Sequence, residues 1–355
     1  MIHKNTEYCP QSGNPFVTCK SFWSNGVPTP EQLRFAVDRN NVYCPFYRYV
    51  GNDLAIQKLT TYAYKAMSNS QHFYQAHLSL FGPPSSGKTT LARLYAQLLG
   101  LPYVEFSPQS VNQMNDFFKA FESSMTITEK GPKKYAIPPS VVLLDEIHAY
   151  NKRIIQGLLK ATEKNDNTLV TESGLHIDTR YITWFIATTD EGRLFDAFRT
   201  RFSPINLEYL RDRDIAIIVA RAYPLLPAGI CQLVAKYNSC IPRQALRFAQ
   251  EVIDRKDRMG CTYEQAISIC AQSDGIDEYG MHKLHLKILK ALNDKPIPAN
   301  RLQTVTGKKL EENQNYIMPW LLSETEDRPS YVEVTGRGYA ITEAGKEQLR
   351  LRKII

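Results

Sequence analysis

The spacing of apolar positions divides this chain into four stretches. Residues 1–45 mix Pro, Asn, Ser and Tyr with no sustained period, which predicts an irregular extension. Residues 46–208 alternate short apolar runs with segments of helical spacing, the pattern of an α/β sheet. Leu78, Leu80 and Phe81 end one buried run, and Leu91, Leu94, Tyr95, Leu98 and Leu99 then recur on one helical face. Val141 to Leu144 is a second run, Tyr181 to Thr189 a third, and Ile205-Asn206-Leu207 a short fourth. Residues 209–274 read as helical throughout, with stops near Pro224, Pro227 and Gly260. Residues 275–355 show three short helical patterns, then Tyr331 to Val334, a tight turn at Thr335-Gly336-Arg337-Gly338, and a return run from Tyr339 to Thr342. Helices followed by a strand, turn and strand predict a winged helix.

A chain of 355 residues suits two or three domains, and 43% hydrophobic residues suffice for their cores. No run approaches the ~18 apolar residues of a membrane span, and Met1 to Glu7 lack the apolar core of a secretory signal, so a cytoplasmic protein is expected. The net charge of +7 is unevenly placed: residues 281–355 hold thirteen Lys/Arg against nine Asp/Glu. A basic final module points weakly to nucleic acid. Seven cysteines with no CxxC pair argue for neither disulfides nor zinc. Cys9, Cys19 and Cys44, with His3, are too irregularly spaced for a zinc site, and Cys231, Cys240, Cys261 and Cys270 fall in helical stretches as ordinary thiols.

Between the first apolar run and its helix stands Gly82-Pro83-Pro84-Ser85-Ser86-Gly87-Lys88-Thr89, a complete phosphate-binding loop in its strand–loop–helix setting. Glycines let consecutive backbone N–H groups turn toward a polyphosphate, and the helix N-terminus adds partial positive charge. Lys88 is expected to reach the β- and γ-phosphates of ATP, and Thr89 to ligate Mg²⁺. The second run leads straight into Asp145 and Glu146, 57 positions after Lys88. Carboxylates there open into the ligand crevice of a parallel sheet. Asp145 is expected in the Mg²⁺ shell, with Glu146 polarising the attacking water. Thr188 and Thr189 end the third run, where Thr189 would stand beside the γ-phosphate. Arg199 and Arg201 close a short helical turn before the last strand, and Arg243 follows a helix-starting proline, Pro242.

Together these residues resemble the AAA+ ATPases, and within them the RuvB family of Holliday-junction branch-migration motors, from about Tyr47 to Lys346. The resemblance rests on Gly82 to Thr90, the tetrad Asp145-Glu146-Ile147-His148, Ala187-Thr188-Thr189, Phe198 to Phe202, Ile241-Pro242-Arg243, Gly275-Ile276-Asp277, and the wing turn with Arg337. It implies an α/β P-loop core (46–208), a helical lid (209–274) and a winged-helix DNA-binding domain (275–355). It also implies Tyr49 and Val50 near the nucleotide base, with Thr90 completing the loop. Arg199 or Arg201 would act as a finger supplied in trans, and Arg243 as a second sensor. The further implications are a homo-oligomeric, hexameric ring on DNA and a RuvA-like junction-binding partner. Ser85-Ser86 replace the family's Gly-Leu, Asp190 stands for an Arg and Tyr339 for a basic wing residue. The segment Thr162 to Tyr181 is shorter than the family's partner-binding hairpin.

Two other readings stay open. A clamp- or helicase-loader ATPase would hydrolyse ATP without translocating, although loaders usually end in a collar rather than a winged helix. An ATP-gated DNA-binding regulator would read sequence with its recognition helix, yet Lys308 and Lys309 are followed at once by Glu311 and Glu312, which repel the duplex. Backbone contact by Arg337, Lys308 and Lys309 fits that charge pattern better.

Overall fold

The computed structural model describes residues 45–68, 76–127, 135–163, 165–238, 241–324 and 328–355. The expected extension up to residue 44, with His3, Cys9, Cys19 and Cys44, lies outside them, as does Cys240. The chain divides into two units: residues up to Gly82 with Gly87–Glu208, and Pro83–Ser86 with Tyr209–Ile355.

In the first unit α1 (Asp53–Ser68) precedes β1 (His77–Phe81), α2 (Lys88–Leu99), β2 (Tyr103–Phe106) and α3 (Met114–Phe121). There follow β3 (Thr126–Ile127), β4 (Tyr135–Ala136), β5 (Ser140–Leu144), α4 (Lys152–Ala161), β6 (Thr168–Val170), β7 (His176–Asp178), β8 (Ile182–Thr188), α5 (Asp196–Arg199) and β9 (Phe202–Asn206). Five strands form a parallel sheet in the order β2-β5-β8-β1-β9. Strand periodicity explains the unbroken apolar runs. On β5, Val141 and Leu143 join the α1–α2 core, while Val142 and Leu144 join the α3–α4 core. Phe185 and Ala187 on β8 face the first core, and Trp184 and Ile186 the second. A strand covered on both faces has no solvent side and so no polar alternation.

The last strand starts earlier than its apolar residues suggest, at Phe202, and runs through Pro204. Proline donates no ladder hydrogen bond and is tolerated because β9 lies at the sheet edge. A second sheet, in the order β3-β4-β7-β6, was not legible in the sequence. Its strands are two or three residues long, too short for any period to show. The Thr162–Tyr181 segment forms the β6–β7 hairpin of this sheet. Glu172 in its turn accepts hydrogen bonds from the backbone N–H groups of Met114 and Asn115, both at 2.9 Å, and so caps α3.

The second unit begins with four helices, α6 (Asp212–Ala222), α7 (Ala228–Lys236), α8 (Pro242–Met259) and α9 (Tyr263–Asp274), around Ile215, Val219, Val234, Phe248 and Ile267. Cys231 and Cys270 are buried free thiols there, as expected. A separate apolar cluster of Ile288, Leu289, Leu302, Met318, Leu321 and Leu349 gathers α10 (Lys283–Asp294), α11 (Leu302–Thr306), α13 (Met318–Leu322) and α14 (Glu343–Leu351), with the short α12 (Leu310–Glu312) between α11 and α13 in the chain. The antiparallel pair β10 (Val332–Thr335) and β11 (Gly338–Ile341) supplies the wing. Gly338 has φ of 115°, and a Cβ there would meet the Ile297 carbonyl oxygen at 2.5 Å. The third helical pattern is interrupted between α12 and α13 by a π turn over Asn313–Ile317. Pro319 explains it: the ring cannot face the carbonyl four residues back, and a widened turn relieves the clash.

Candidate functional site

The strand order places β8 between β5 and β1, so the loops after β1 and β5 flank the end of β8 at the carboxyl edge of the sheet. The phosphate loop leaves β1 and enters α2 at Lys88. Ser85 has φ of 59° and Gly87 of 91°, left-handed conformations that turn the chain back within two residues. Only glycine fits at 87, because an added Cβ would lie 2.6 Å from the Tyr49 ring. Tyr49 and Val50 are themselves buried. Asn52 holds this segment: its Nδ2 donates to the Tyr49 hydroxyl at 3.2 Å, and its Oδ1 accepts from the Glu208 N–H at 2.6 Å. That link joins positions 156 residues apart, which sequence reading had no means to pair.

Lys88 is 6% exposed, and its Nζ donates to the Gly82 carbonyl at 2.9 Å. Burial pushes its ammonium below the ordinary lysine range, while Glu146 and Asp145 pull the other way. Burial raises the Asp145 carboxyl, and the Glu146 charge adds to the rise; the Glu146 N–H and Lys88 oppose it. A lysine and two carboxylates thus share one partly desolvated space. The lysine charge and the acid charges are each costly there unless the three stay together or a ligand joins them.

Glu146 itself has φ of 48° and ψ of 52°. A left-handed glutamate costs roughly 1–2 kcal/mol and is held by the turn around it. The Glu146 N–H donates to Asp145 Oδ1 at 3.1 Å, and the Ala149 N–H to the Glu146 carbonyl at 2.8 Å. Thr189 Oγ1 donates to Glu146 Oε2 at 3.5 Å, and His148 Nδ1 lies 3.4 Å from the same oxygen. Thr188 is wholly buried and meets His148 Nδ1 at 2.6 Å. The sequence marked these threonines as strand-end residues, with Thr189 expected beside the γ-phosphate, but gave neither a side-chain partner. Their division into one that touches Glu146 and one that touches His148 comes from the alternation of faces at the end of β8.

The structure brings Gly82, Gly87, Lys88, Asp145, Glu146 and Thr189 together, with Thr89 half-buried and Thr90 exposed at the start of α2. The candidate arginines make contacts of their own. Arg199, exposed at the end of α5, donates to the Glu191 carbonyl at 2.7 Å; Arg201 donates to the Ala197 carbonyl at 2.7 Å. In the second unit Arg243 is exposed in the first turn of α8, behind Pro242. Arg337 is exposed at the wing turn, its N–H donating to Thr335 Oγ1 at 3.3 Å. Lys308 pairs with Glu312 at 3.7 Å, and the same Glu312 accepts from the Lys309 N–H at 3.2 Å.

The family model for the ATPase family associated with various cellular activities matches residues 78–208, the span that carries this geometry. The chain is 27% identical over 318 residues to the Holliday junction branch migration complex subunit RuvB of Wolbachia sp. subsp. Drosophila simulans, covering 85% of this chain and 92% of that one. The same subunit of Anaplasma marginale is 25% identical, covering 88% and 93%. The chain is thus similar to RuvB subunits along most of its length, with the AAA match in its nucleotide-site unit. The fold agrees: Thermotoga maritima RuvB, described as a Holliday junction branch migration motor, superposes with a TM-score of 0.66 at 24% identity over 85% of this chain and 95% of that one. This RuvB-like chain is accordingly a nucleotide-binding, ATP-hydrolysing enzyme. Among its described residues no helix is long and apolar enough to cross a membrane.

Proposed function

We propose that this chain is the subunit of a ring-forming ATPase that drives movement along DNA, in the manner of a branch-migration motor. The observation that carries the reading is similarity along nearly the whole length to RuvB subunits, combined with Lys88, Asp145, Glu146 and Thr189 converging at one sheet edge. In this assignment Lys88 contacts the β- and γ-phosphates of ATP, and the backbone of Gly82 to Thr90 wraps them. Tyr49 and Val50 lie on the side of the base. Glu146 takes a proton from the attacking water, with Thr189 orienting its carboxylate. Arg243 is the second sensor.

The donor set fits Mg²⁺. Thr89 and Asp145 are both half-buried oxygen donors, and this cation is commonly held by one or two protein oxygens plus phosphate and water. A dense acidic cage is therefore not required, and no group of three or more His, Cys, Asp or Glu gathers among the described residues. Bound there, Mg²⁺ would neutralise charge on the phosphates.

Arg199 and Arg201 act in trans in this reading. Arg201 now donates to the Ala197 carbonyl, and Arg199 to the Glu191 carbonyl with the exposed Asp196 carboxylate 3.8 Å from it; these acceptors are exchangeable for phosphate oxygens of a neighbour's nucleotide. Mixing Arg201→Ala subunits with Glu146→Gln subunits should then restore part of the ATPase activity, because the two defects fall on opposite sides of one interface. Arg199→Ala is the matching test if Arg201→Ala alone leaves activity intact. Absence of rescue by either pairing, scored by phosphate release, counts against a shared site.

For DNA, the wing and its Arg337 are the proposed grip. Lys308, whose ammonium pairs with Glu312, takes a lesser part, and Lys309 adds its charge beside that acid, which accepts from the Lys309 backbone N–H. That same acid disfavours a sequence-reading regulator. Arg337→Ala should weaken duplexes of unrelated sequence equally and lower the slope of log affinity against log salt by about 0.9, one phosphate contact. The ATPase rate without DNA should stay unchanged. Fluorescence anisotropy across a salt series measures both, and a strong preference for one duplex would favour the regulator instead. A RuvA-like partner would meet a short hairpin whose turn already caps α3 through Glu172. The reading as a whole is tested by imaging the protein with an ATP analogue and branched DNA: rings around duplex arms support it, and isolated subunits or open clusters oppose it.

A further inference from the structure

We propose that His148 is a positioning residue for the hydrolytic carboxylate: a proton on its Nδ1 is shared between Thr188 and Glu146, and this sharing sets the direction of the Glu146 side chain. The inference rests on Glu146 being the base. It begins from proton accounting. His148 Nδ1 lies 2.6 Å from Thr188 Oγ1 and 3.4 Å from Glu146 Oε2. An ionised carboxylate only accepts, so a bare Nδ1 would set its lone pair against the Glu146 charge. The Thr188 hydroxyl has one proton to give, and the Asp190 carbonyl stands 3.3 Å away to take it. The Asp190 N–H in turn donates to Thr188 Oγ1 at 3.0 Å. With the proton on His148 Nδ1, every group is satisfied: Thr188 Oγ1 accepts twice and donates once, and Glu146 gains a donor.

The mechanical setting points the same way. Thr188 is fully buried at the end of β8, whereas the Glu146 side chain is 39% exposed and bordered by solvent. His148 sits in the short 3₁₀ turn Ile147–Ala149, anchored by Ile147 at 1% exposure. One N–H thus stands between a fixed acceptor and a movable one. A displacement of the β8 end that lengthens the bond to Thr188 strengthens the bond to Glu146, and the reverse releases the carboxylate toward water. Thr189 grips the same Oε2 from the neighbouring position, so the base is steered by two consecutive residues of one strand end. His148 reports the buried one.

The test uses the full chain and compares His148→Ala, His148→Asn and Thr188→Val. Steady-state ATP hydrolysis is read beside the Kd for a fluorescent ATP analogue. Asparagine can place an N–H near the position of Nδ1, and alanine cannot. His148→Ala should lower kcat on the order of tenfold or more, a part of what a positioned base contributes, with the analogue's Kd unchanged. His148→Asn should recover most of the loss. Thr188→Val should also lower kcat, and the double variant His148→Ala with Thr188→Val should be no worse than His148→Ala alone, because both remove one arrangement. In ¹⁵N-histidine spectra the His148 ring should carry its proton on Nδ1, and its signal should move in Thr188→Val. The inference is overturned by wild-type turnover in His148→Ala, by equal loss in the Asn and Ala variants, by parallel loss of analogue binding, or by a proton on Nε2 alone. If Glu146→Gln keeps wild-type turnover, the assignment of the base falls and the inference with it. If Glu146→Gln is inactive while His148→Ala is not, only the inference falls.

Discussion

Glu146→Gln should stop turnover while leaving ATP bound. The substitution preserves shape and removes only the ability to take a proton from water, a role worth ~10²–10⁴ in rate. Lys88 remains on the Gly82 carbonyl and Asp145 keeps its hydrogen bond from the residue 146 N–H, since both involve atoms that the change does not touch. The amide oxygen can still accept from Thr189, which approaches Oε2 at 3.5 Å. Nucleotide affinity should therefore match the wild type, and filter binding with labelled ATP should recover intact triphosphate from the protein after hours. Release of product at the wild-type rate would show that another group activates the water.

Lys88→Ala should instead fail at binding. Its ammonium lies close enough to both carboxylates to feel their charge, and burial already pushes it down from its ordinary range. Removing it leaves Asp145 and Glu146 without their counter-charge and a triphosphate without its charged donor. A hydrogen bond to a charged group is worth ~1.5–3 kcal/mol, so the Kd for ATP should rise on the order of tenfold to a hundredfold or more. Hydrolysis at saturating wild-type concentrations should vanish with it. Thermal unfolding monitored by circular dichroism separates this from misfolding: the melting curve of the nucleotide-free variant should remain cooperative, and added ATP should no longer shift it. A variant that ATP still stabilises would contradict the role given to Lys88.

What the sequence made legible was what short-range physics controls. A strand buried on both faces is mostly apolar, so β5 and β8 were visible as runs, while β1 showed through Leu78, Leu80 and Phe81 although His77 and Ser79 are also buried. The loops leaving them carried Gly82–Thr89 and Asp145-Glu146 in plain view. The wing was visible because a turn needs Gly338. What stayed hidden depends on pairing across long separations or on deviations too brief to have a period. The sheet β3-β4-β7-β6 has strands of two or three residues. Glu172 capping α3 spans 58 positions, and Asn52 reaching Glu208 spans 156. The π turn before Pro319 is a single widened turn inside a helical pattern, too brief to alter its period. At the site, the residue types were all present in the sequence, while the contacts of His148 and Thr189 with Glu146 required the order β5-β8-β1.

The central claim, that ATP hydrolysis at this site moves DNA, is tested most directly by a synthetic four-way junction whose arms can migrate, incubated with the purified chain and resolved by gel. The account predicts conversion of the junction into two duplexes that requires hydrolysable ATP and is lost in Glu146→Gln and in Arg337→Ala. Vigorous ATP hydrolysis by the wild-type chain, with the junction and forked or partial duplexes all left intact, would contradict it.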